Sequence, residues 1–433
     1  MRDLQALTSE LAEQHGVPGL ATAVLVGDET HVAVHGVTST ADPLEVDTDT
    51  LFFIGSTTKT LTATALMTFV ESGALSLDDP VVRLLPGCAV LDEVTVGMLL
   101  DHTAGFRGDS LADTGWGDDC LTRVVEECLP HEPQVTPPGA VVSYNNAAVV
   151  LAGRLLELVS GRPYPVALRE LVLDPLGMAS SALLPWETTG RRLAIGHLDG
   201  TPVPGWPIKR SWGPAGGLAS SIGDQVRWAR FCLDGGPVLT DETRQLMQQP
   251  RAHARSGMTG VGVSWLLQQR GDLRLVTHGG NVNNLQIGTF VLAPDERVAV
   301  LALSSSRGGH EAGRSLVDAV LTDLGHPAPP ALPEVAVPEG VVGRYDGGAW
   351  QQEISCTDGR LFSRMVLPPD SPPELTALFA APPTALVPVG TDQLATAARP
   401  WDVIGDLGRD AEGRVAWLRW GMRVFPRVTG EDA

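Results

Sequence analysis

A serine followed three positions later by a lysine, Ser56 and Lys59, heads an apolar run. Residues three apart on a helix lie one turn from each other, so the amine reaches the hydroxyl and the two can exchange a proton. Burial or a neighbouring base can strip a lysine of its proton near neutral pH, whereas arginine keeps its charge. Of the 31 basic residues only Lys59 and Lys209 are lysines, which makes a lysine at this place informative. Taken alone, the pair also reads as a serine cap followed by a solvated lysine. A degraded phosphate loop is excluded, because no glycine precedes Lys59 and the required upstream glycine spacing is missing.

Two further stretches carry chemistry. Ser143-Tyr144-Asn145-Asn146 contains one of only three tyrosines. A phenol beside a lysine can be pushed toward phenolate, act as general base and return the proton to a leaving group. Asn146 would orient Lys59 or bind a substrate carbonyl. Thr277-His278-Gly279-Gly280-Asn281 follows a strand-like run, and its glycines permit a ligand to approach the backbone closely, as an oxyanion site and a substrate-binding edge need. Each stretch has a plain alternative, a half-buried tyrosine in one case and a surface turn in the other.

The elements that would position these groups are legible. Residues 60–72, with Leu61, Ala65, Leu66, Phe69 and Val70, predict a buried helix that ends at Gly73 and has Ser56 at its head; residues 147–160 predict a second, ended by Gly161. Leu4, Leu7 and Leu11 mark a first helix. Runs 20–26 and 31–37 around Gly27-Asp28-Glu29-Thr30 predict a hairpin, and runs 287–293 and 297–303 a second, followed by a helix over 311–324. Strands at both ends of a helix-rich stretch imply one antiparallel sheet completed late in the chain.

A proline-rich spacer at 326–338 divides a first domain, 1–325, from 339–433, where short apolar runs and Asp-Gly or Glu-Gly turns predict a small antiparallel β-barrel or sandwich. Across 433 residues, 43% hydrophobic and 19% charged content is an ordinary globular balance. A net charge of -20 argues against nucleic acid and anionic membranes as partners. The five cysteines are scattered and lack metal-ligand spacing, so neither a disulfide framework nor a zinc site is expected, and no cofactor is called for. The opening residues read as a helix rather than a leader, and no apolar run is long enough to span a membrane, so a cytoplasmic protein is expected.

Ser56-Thr57-Thr58-Lys59, Tyr144-Asn145-Asn146 and His278-Gly279-Gly280, in that order, resemble the three motifs of the serine β-lactamase and penicillin-binding-protein superfamily, nearest its class C β-lactamase and D-aminopeptidase branch. Met98 to Phe106 and Pro214 to Leu218 resemble two structural signatures of that branch, and the likeness covers about residues 1–325. It implies an α/β (α+β) fold with an antiparallel sheet flanked by helices, Ser56 as nucleophile, and Lys59 and Tyr144 as its proton-transfer partners. It further implies Asn146 as a hydrogen-bonding member and the backbone amides of Ser56 and Asn281 as the oxyanion hole, beside His278, Gly279 and Gly280. His102 falls in a structural signature and is not expected to be catalytic. No Gly-x-Ser-x-Gly elbow is present, which excludes an α/β-hydrolase triad.

One departure directs the finer reading. β-Lactamases and many DD-peptidases carry a lysine where His278 stands, and histidine is at most partly charged near neutrality. With no leader, a His-Gly-Gly motif, an Arg-rich composition and a C-terminal β-domain of lipocalin-like kind, the chain resembles the penicillin-binding-protein-type thioesterases. That resemblance implies a peptidyl thioester or ester substrate with a D-configured C-terminal residue, a nonribosomal synthetase carrier protein as partner, and head-to-tail macrocyclisation. The alternatives are a D-stereospecific aminopeptidase or amidase, a DD-peptidase, an esterase, or a penicillin-recognising protein acylated once without turnover.

Overall fold

The computed structural model describes residues 3–429, apart from 110, 111, 255, 256, 370, 373–375, 377, 378 and 380. Strand β1 (Gly19–Val26) is apolar throughout because it is covered on both faces. Leu20 and Val24 meet helices α1 (Leu4–Gln14) and α5 (Gly309–Asp323), while Ala21, Ala23 and Leu25 face the helix-rich core. It lies between β2 (Glu29–Gly36) and β8 (Val298–Ser304). The sheet continues through β7 (Gln286–Ala293), β5 (Leu273–Thr277), β4 (Leu266–Arg270) and β3 (Gly260–Val261), with the short β6 (Gly280–Val282) paired to β7; every pairing is antiparallel. A strand from near the start of the chain thus pairs with one from about residue 300, as the two hairpins imply.

Details differ from the sequence reading. The first hairpin closes with a two-residue turn, since Val26 pairs with Glu29 and Gly27 takes φ +56°. Arg297 adopts φ 54° and stays in the second turn, which starts β8 one residue later than expected. Between the two ends lie α2 (Thr58–Glu71), α3 (Asn146–Ser160) and α4 (Ile222–Asp234), packed around a common core. Asn145 caps α3 by accepting from the Ala148 amide at 2.8 Å, and Gly161 ends it in the left-handed region at φ 65°.

Residues 326–338 have no regular structure, but the Leu332 and Val335 amides bond to the carbonyls of Pro400 and Pro388. Eight antiparallel strands follow in sequence order: β9 (Gly343–Asp346), β10 (Gln351–Thr357), β11 (Arg360–Val366), β12 (Thr384–Gly390), β13 (Gln393–Thr396), β14 (Arg399–Arg409), β15 (Val415–Trp420) and β16 (Arg423–Pro426). A bridge between Tyr345 and Arg427 and the bond from Val428 N to Arg344 O nearly close them into a barrel around Tyr345, Ile354, Leu394, Leu407, Leu418 and Phe425. No helix among the described residues is long and apolar enough to cross a membrane.

The β15–β16 hairpin binds the first domain beside α3. Met422 O accepts from Tyr144 N at 2.8 Å, and Val424 N donates to Ser143 Oγ at 3.1 Å. Arg419, 3% exposed, pairs with buried Asp406 through 2.7 and 2.9 Å bonds and donates to the Val142 carbonyl at 3.3 Å. Replacing Arg419 by methionine would strand the Asp406 charge in the interior. Chemical denaturation of Arg419→Met is expected to read a loss of about 3–5 kcal/mol, and Arg419→Met with Asp406→Leu should recover much of it.

Candidate active site

Ser56 lies in a single 3-10 turn, Gly55–Thr57, that leads into α2. Two glycines make this placement possible. Gly55 sits at φ +52°, and a Cβ on Gly280 would fall 1.8 Å from the Ile54 carbonyl oxygen. The turn and β6 therefore touch backbone to backbone, and the amides of Ser56 and Asn281 are brought to the same edge. Thr57 Oγ1 donates to the His278 carbonyl at 2.9 Å and fixes the register of the two segments.

Lys59 has no exposed surface, so the solvated alternative does not hold. Its Nζ donates to Ser56 Oγ at 3.0 Å and to the Ala215 carbonyl, which belongs to the short helical turn Gly213–Gly216. Burial drives its pKa well below the ordinary lysine value. The Arg423 guanidinium adds to the effect, and the Asp109 carboxylate opposes it. Burial thus shifts the lysine toward the neutral amine, the form that can take a proton from the adjacent serine hydroxyl.

Tyr144 is hydrogen-bonded through its hydroxyl to Ser56, and its ring centroid lies 5.0 Å from Lys59 Nζ. Burial raises its pKa above the ordinary phenol value, with the Ser56 hydrogen bond and Arg423 acting the other way. The expected drift toward phenolate is thus reversed: desolvation outweighs the nearby cation, and Tyr144 is held as a neutral phenol. Of the two roles expected for Asn146, orienting Lys59 is not found, although the residue lines the cleft and is hydrogen-bonded there. Its Nδ2 donates to Asp109 and makes no hydrogen bond to Lys59.

His278 is buried, and its Nδ1 lies 2.9 Å from the Gly279 carbonyl oxygen. Since a carbonyl only accepts, Nδ1 carries the proton, and Nε2 presents a lone pair without a protein partner among the described residues. Desolvation, reinforced by Lys59, lowers its pKa to about 3. It is neutral where the sequence allowed partial charge. His102 is buried too; its ring stands 4.4 Å from that of Tyr144, and its Nδ1 accepts from Asn145 N at 3.3 Å. It supports the tyrosine from behind.

The sequence reading missed what the barrel contributes. Arg423 from β16 lies with its Cζ 4.7 Å from the Tyr144 ring centroid and 5.4 Å from that of Trp350. Its Nε donates to Asp109 Oδ2 at 2.6 Å, so Asp109 joins Arg423 to Asn146. Met422 holds the turn before Arg423 at φ 70°, a strained value for a side chain with a Cβ. Arg423, Met422, Trp350, Asp109, Tyr144 and His278 line one cleft of about 1120 Å³ that opens over Ser56. Asp109 and Arg423 are 314 positions apart, and no local pattern marks either.

The match to the beta-lactamase family profile runs over residues 4–322, nearly three quarters of the chain. The chain belongs to the beta-lactamase family. Members and structural neighbours of this family are serine hydrolases and acyl transferases. Penicillin-binding protein 4 of Amycolatopsis lactamdurans is 39% identical over 272 residues, covering 60% of this chain and 71% of that protein. Unguisins hydrolase ungD of Aspergillus violaceofuscus is 29% identical over 241 residues, covering 50% of this chain and 42% of its own length. Among solved structures, SurE with D-Leu superposes over 98% of both chains at TM-score 0.76 and 28% identity, barrel included. D-amino acid amidase from Ochrobactrum anthropi SV3, at 23% identity and TM-score 0.62, covers 74% of this chain and shares the fold.

The buried neutral histidine has a measurable consequence. Between its folded pKa of about 3 and the ordinary 6.5, unfolded His278 binds a proton that the folded state refuses. Its contribution therefore makes stability fall as pH drops through that window. Urea denaturation at pH 7 and pH 5 should read a smaller acid-induced loss for His278→Gln than for the parent, by about 2 kcal/mol. Equal losses would mean that His278 takes up its proton in the folded state.

Proposed function

We propose that this protein is a serine acyl transferase of the penicillin-binding-protein thioesterase kind, releasing and macrocyclising a peptide whose C-terminal residue is D-configured. The observation that carries the reading is the barrel roof over the nucleophile. Arg423, Met422 and Trp350 wall the cleft beside Tyr144, where a folded peptide is held and bulk water is restricted. The full-length likeness to SurE, solved with D-Leu, supports both the barrel's part in the site and a D-residue at the acyl position.

Neutral Lys59 takes the Ser56 proton as Oγ attacks the thioester carbonyl, and the Ser56 and Asn281 amides face the developing oxyanion. The tetrahedral adduct collapses to an ester on Ser56; the thiol leaves with a proton relayed from Lys59 through the Tyr144 hydroxyl. The peptide's own N-terminal amine then attacks the ester, gives up its proton through the same pair, and Ser56 regains its hydrogen. Products are the ring and the free thiol, delivered from a carrier protein as partner. Neutral His278 offers no permanent cation to a substrate carboxylate, which fits an acyl donor already esterified at its C-terminus.

Hydrolysis by the same ester intermediate is the second reading, favoured by the 29% identity to an unguisins hydrolase. A peptidyl thioester with a free N-terminus and a C-terminal D-residue separates the two. Mass spectrometry should find a monomeric product lighter than the linear acid by one water, absent with Ser56→Ala. Linear acid alone would make the enzyme a hydrolase, and stoichiometric acylation without release a binding protein.

A further inference from the structure

The cleft does not end at the catalytic serine. Its floor runs along the sheet, over Thr277 and Leu275 of β5 and over Leu266, Gln268 and Arg270 of β4. These residues share one face: Leu266 pairs with Thr277 and Gln268 with Leu275, and alternate residues of a strand project to the same side. Val317 and Arg314 of α5 form one wall, and Trp401, Met365 and Leu367 of the barrel form the other. The groove is therefore a channel of mixed apolar and polar lining that leaves the Ser56 and His278 end and reaches Arg270. Four residues of β4 separate the level of Thr277 from Arg270, about 13 Å at the rise of an extended strand.

Arg270 is 8% exposed and only partly satisfied. Its Nε donates to the His326 carbonyl at 2.9 Å and its Nη1 to Asp318 at 2.5 Å, while Nη2 is buried without a protein partner among the described residues. Asp318 is shared: Arg399 of the barrel donates to its other oxygen at 3.1 Å. Glu311 is likewise divided between Arg399 at 3.6 Å and Arg314 at 3.4 Å. Three guanidiniums thus share two carboxylates where the channel ends. Asp402 also lines the cleft, near Gly257, and makes no ion pair with these arginines among the described residues.

We propose that this end of the groove is an oxyanion subsite, in which Arg270, flanked by Arg399 and Arg314, binds a carboxylate or phosphate carried by the substrate far from its scissile bond. An arginine held at two of its nitrogens presents the third in a fixed direction, and a desolvated guanidinium discriminates strongly in favour of a charged acceptor. The distance along β4 sets a length requirement, so an anion tethered too closely to the ester does not reach. The substrate assignment rests on the acyl-transfer reading; the anion subsite itself does not. The charge has two possible carriers, the phosphate of a phosphopantetheine leaving arm and an acidic side chain on the peptide.

Two substrate pairs distinguish them. One peptide is presented on phosphopantetheine and on pantetheine; a second pair, on N-acetylcysteamine, carries a distal glutamate or glutamine. One anionic member is expected to show a KM about tenfold below that of its neutral twin at similar kcat. Arg270→Gln should erase that difference and leave the neutral twins unchanged, and the half-exposed Arg314→Gln should reduce it. Equal KM values within both pairs, or an Arg270→Gln effect as large on neutral substrates, would overturn the subsite. Calorimetric titration of Ser56→Ala with free phosphopantetheine and with a glutamate-bearing peptide amide reads the subsite without turnover. Binding of either anion that Arg270→Gln weakens, in an enzyme that turns over no thioester, would reject the reaction and keep the subsite; loss of binding by neither would reject the subsite.

Discussion

The chemistry depends on one unfavourable burial. Lys59 is enclosed by its own helix, the Tyr144 ring and the Gly213–Gly216 turn, and the low polarity around it drives its pKa down toward the neutral amine. An exposed lysine at the same spacing would be protonated and unable to take the serine proton. Much of the first domain serves this enclosure: the 3-10 turn leading into α2 carries the serine and the first turn of α2 the lysine, α3 packs against α2, and the 213–216 turn supplies the carbonyl that fixes the amine. The same dry surroundings keep Tyr144 a phenol and His278 an uncharged imidazole, so three titratable groups meet at Ser56 with no fixed positive charge among them.

The permanent charge comes from the barrel. Arg423 is balanced by Asp109 and lies over the face of Tyr144, where it favours loss of the Lys59 proton without taking part in a proton transfer itself. Asp109 carries the link onward to Asn146. Attachment of the second domain and composition of the site are consequently one event: the hairpin that bonds to the Tyr144 amide also delivers the guanidinium. The strained backbone at Met422 is held by that same contact, the kind of local cost that packing on both sides can sustain.

Local sequence marked Ser56 and Lys59 as a candidate pair, while Tyr144 joined them only through the ordered likeness of three distant motifs to the superfamily. Ser56 and Lys59 need only a helical turn between them, and Asn145 at the head of an apolar stretch marks where α3 begins. Two-faced burial made β1 and β8 readable as continuous apolar runs; the glycine at 280 is required by the protein's own Ile54 carbonyl, a contact that the sequence, read there for a ligand, did not indicate. Turn lengths were less legible, since whether Glu29 and Thr30 belong to the turn or to the ladder depends on the twist of paired strands.

Protonation states and the barrel's role were decided by tertiary structure alone. The superfamily likeness implies a tyrosine near a lysine, but whether the phenol ionises depends on how much solvent is removed from it against how close the cation stands. Here the desolvation of a largely buried ring wins. Likewise His278 is recognisable as a histidine in a glycine-rich motif, while its tautomer and neutrality come from the Gly279 carbonyl and the burial around it. Arg423 is one arginine among many in the sequence, and only folding across 314 positions sets it against Asp109 and Tyr144, because long-range electrostatic partners leave no periodic trace along the chain.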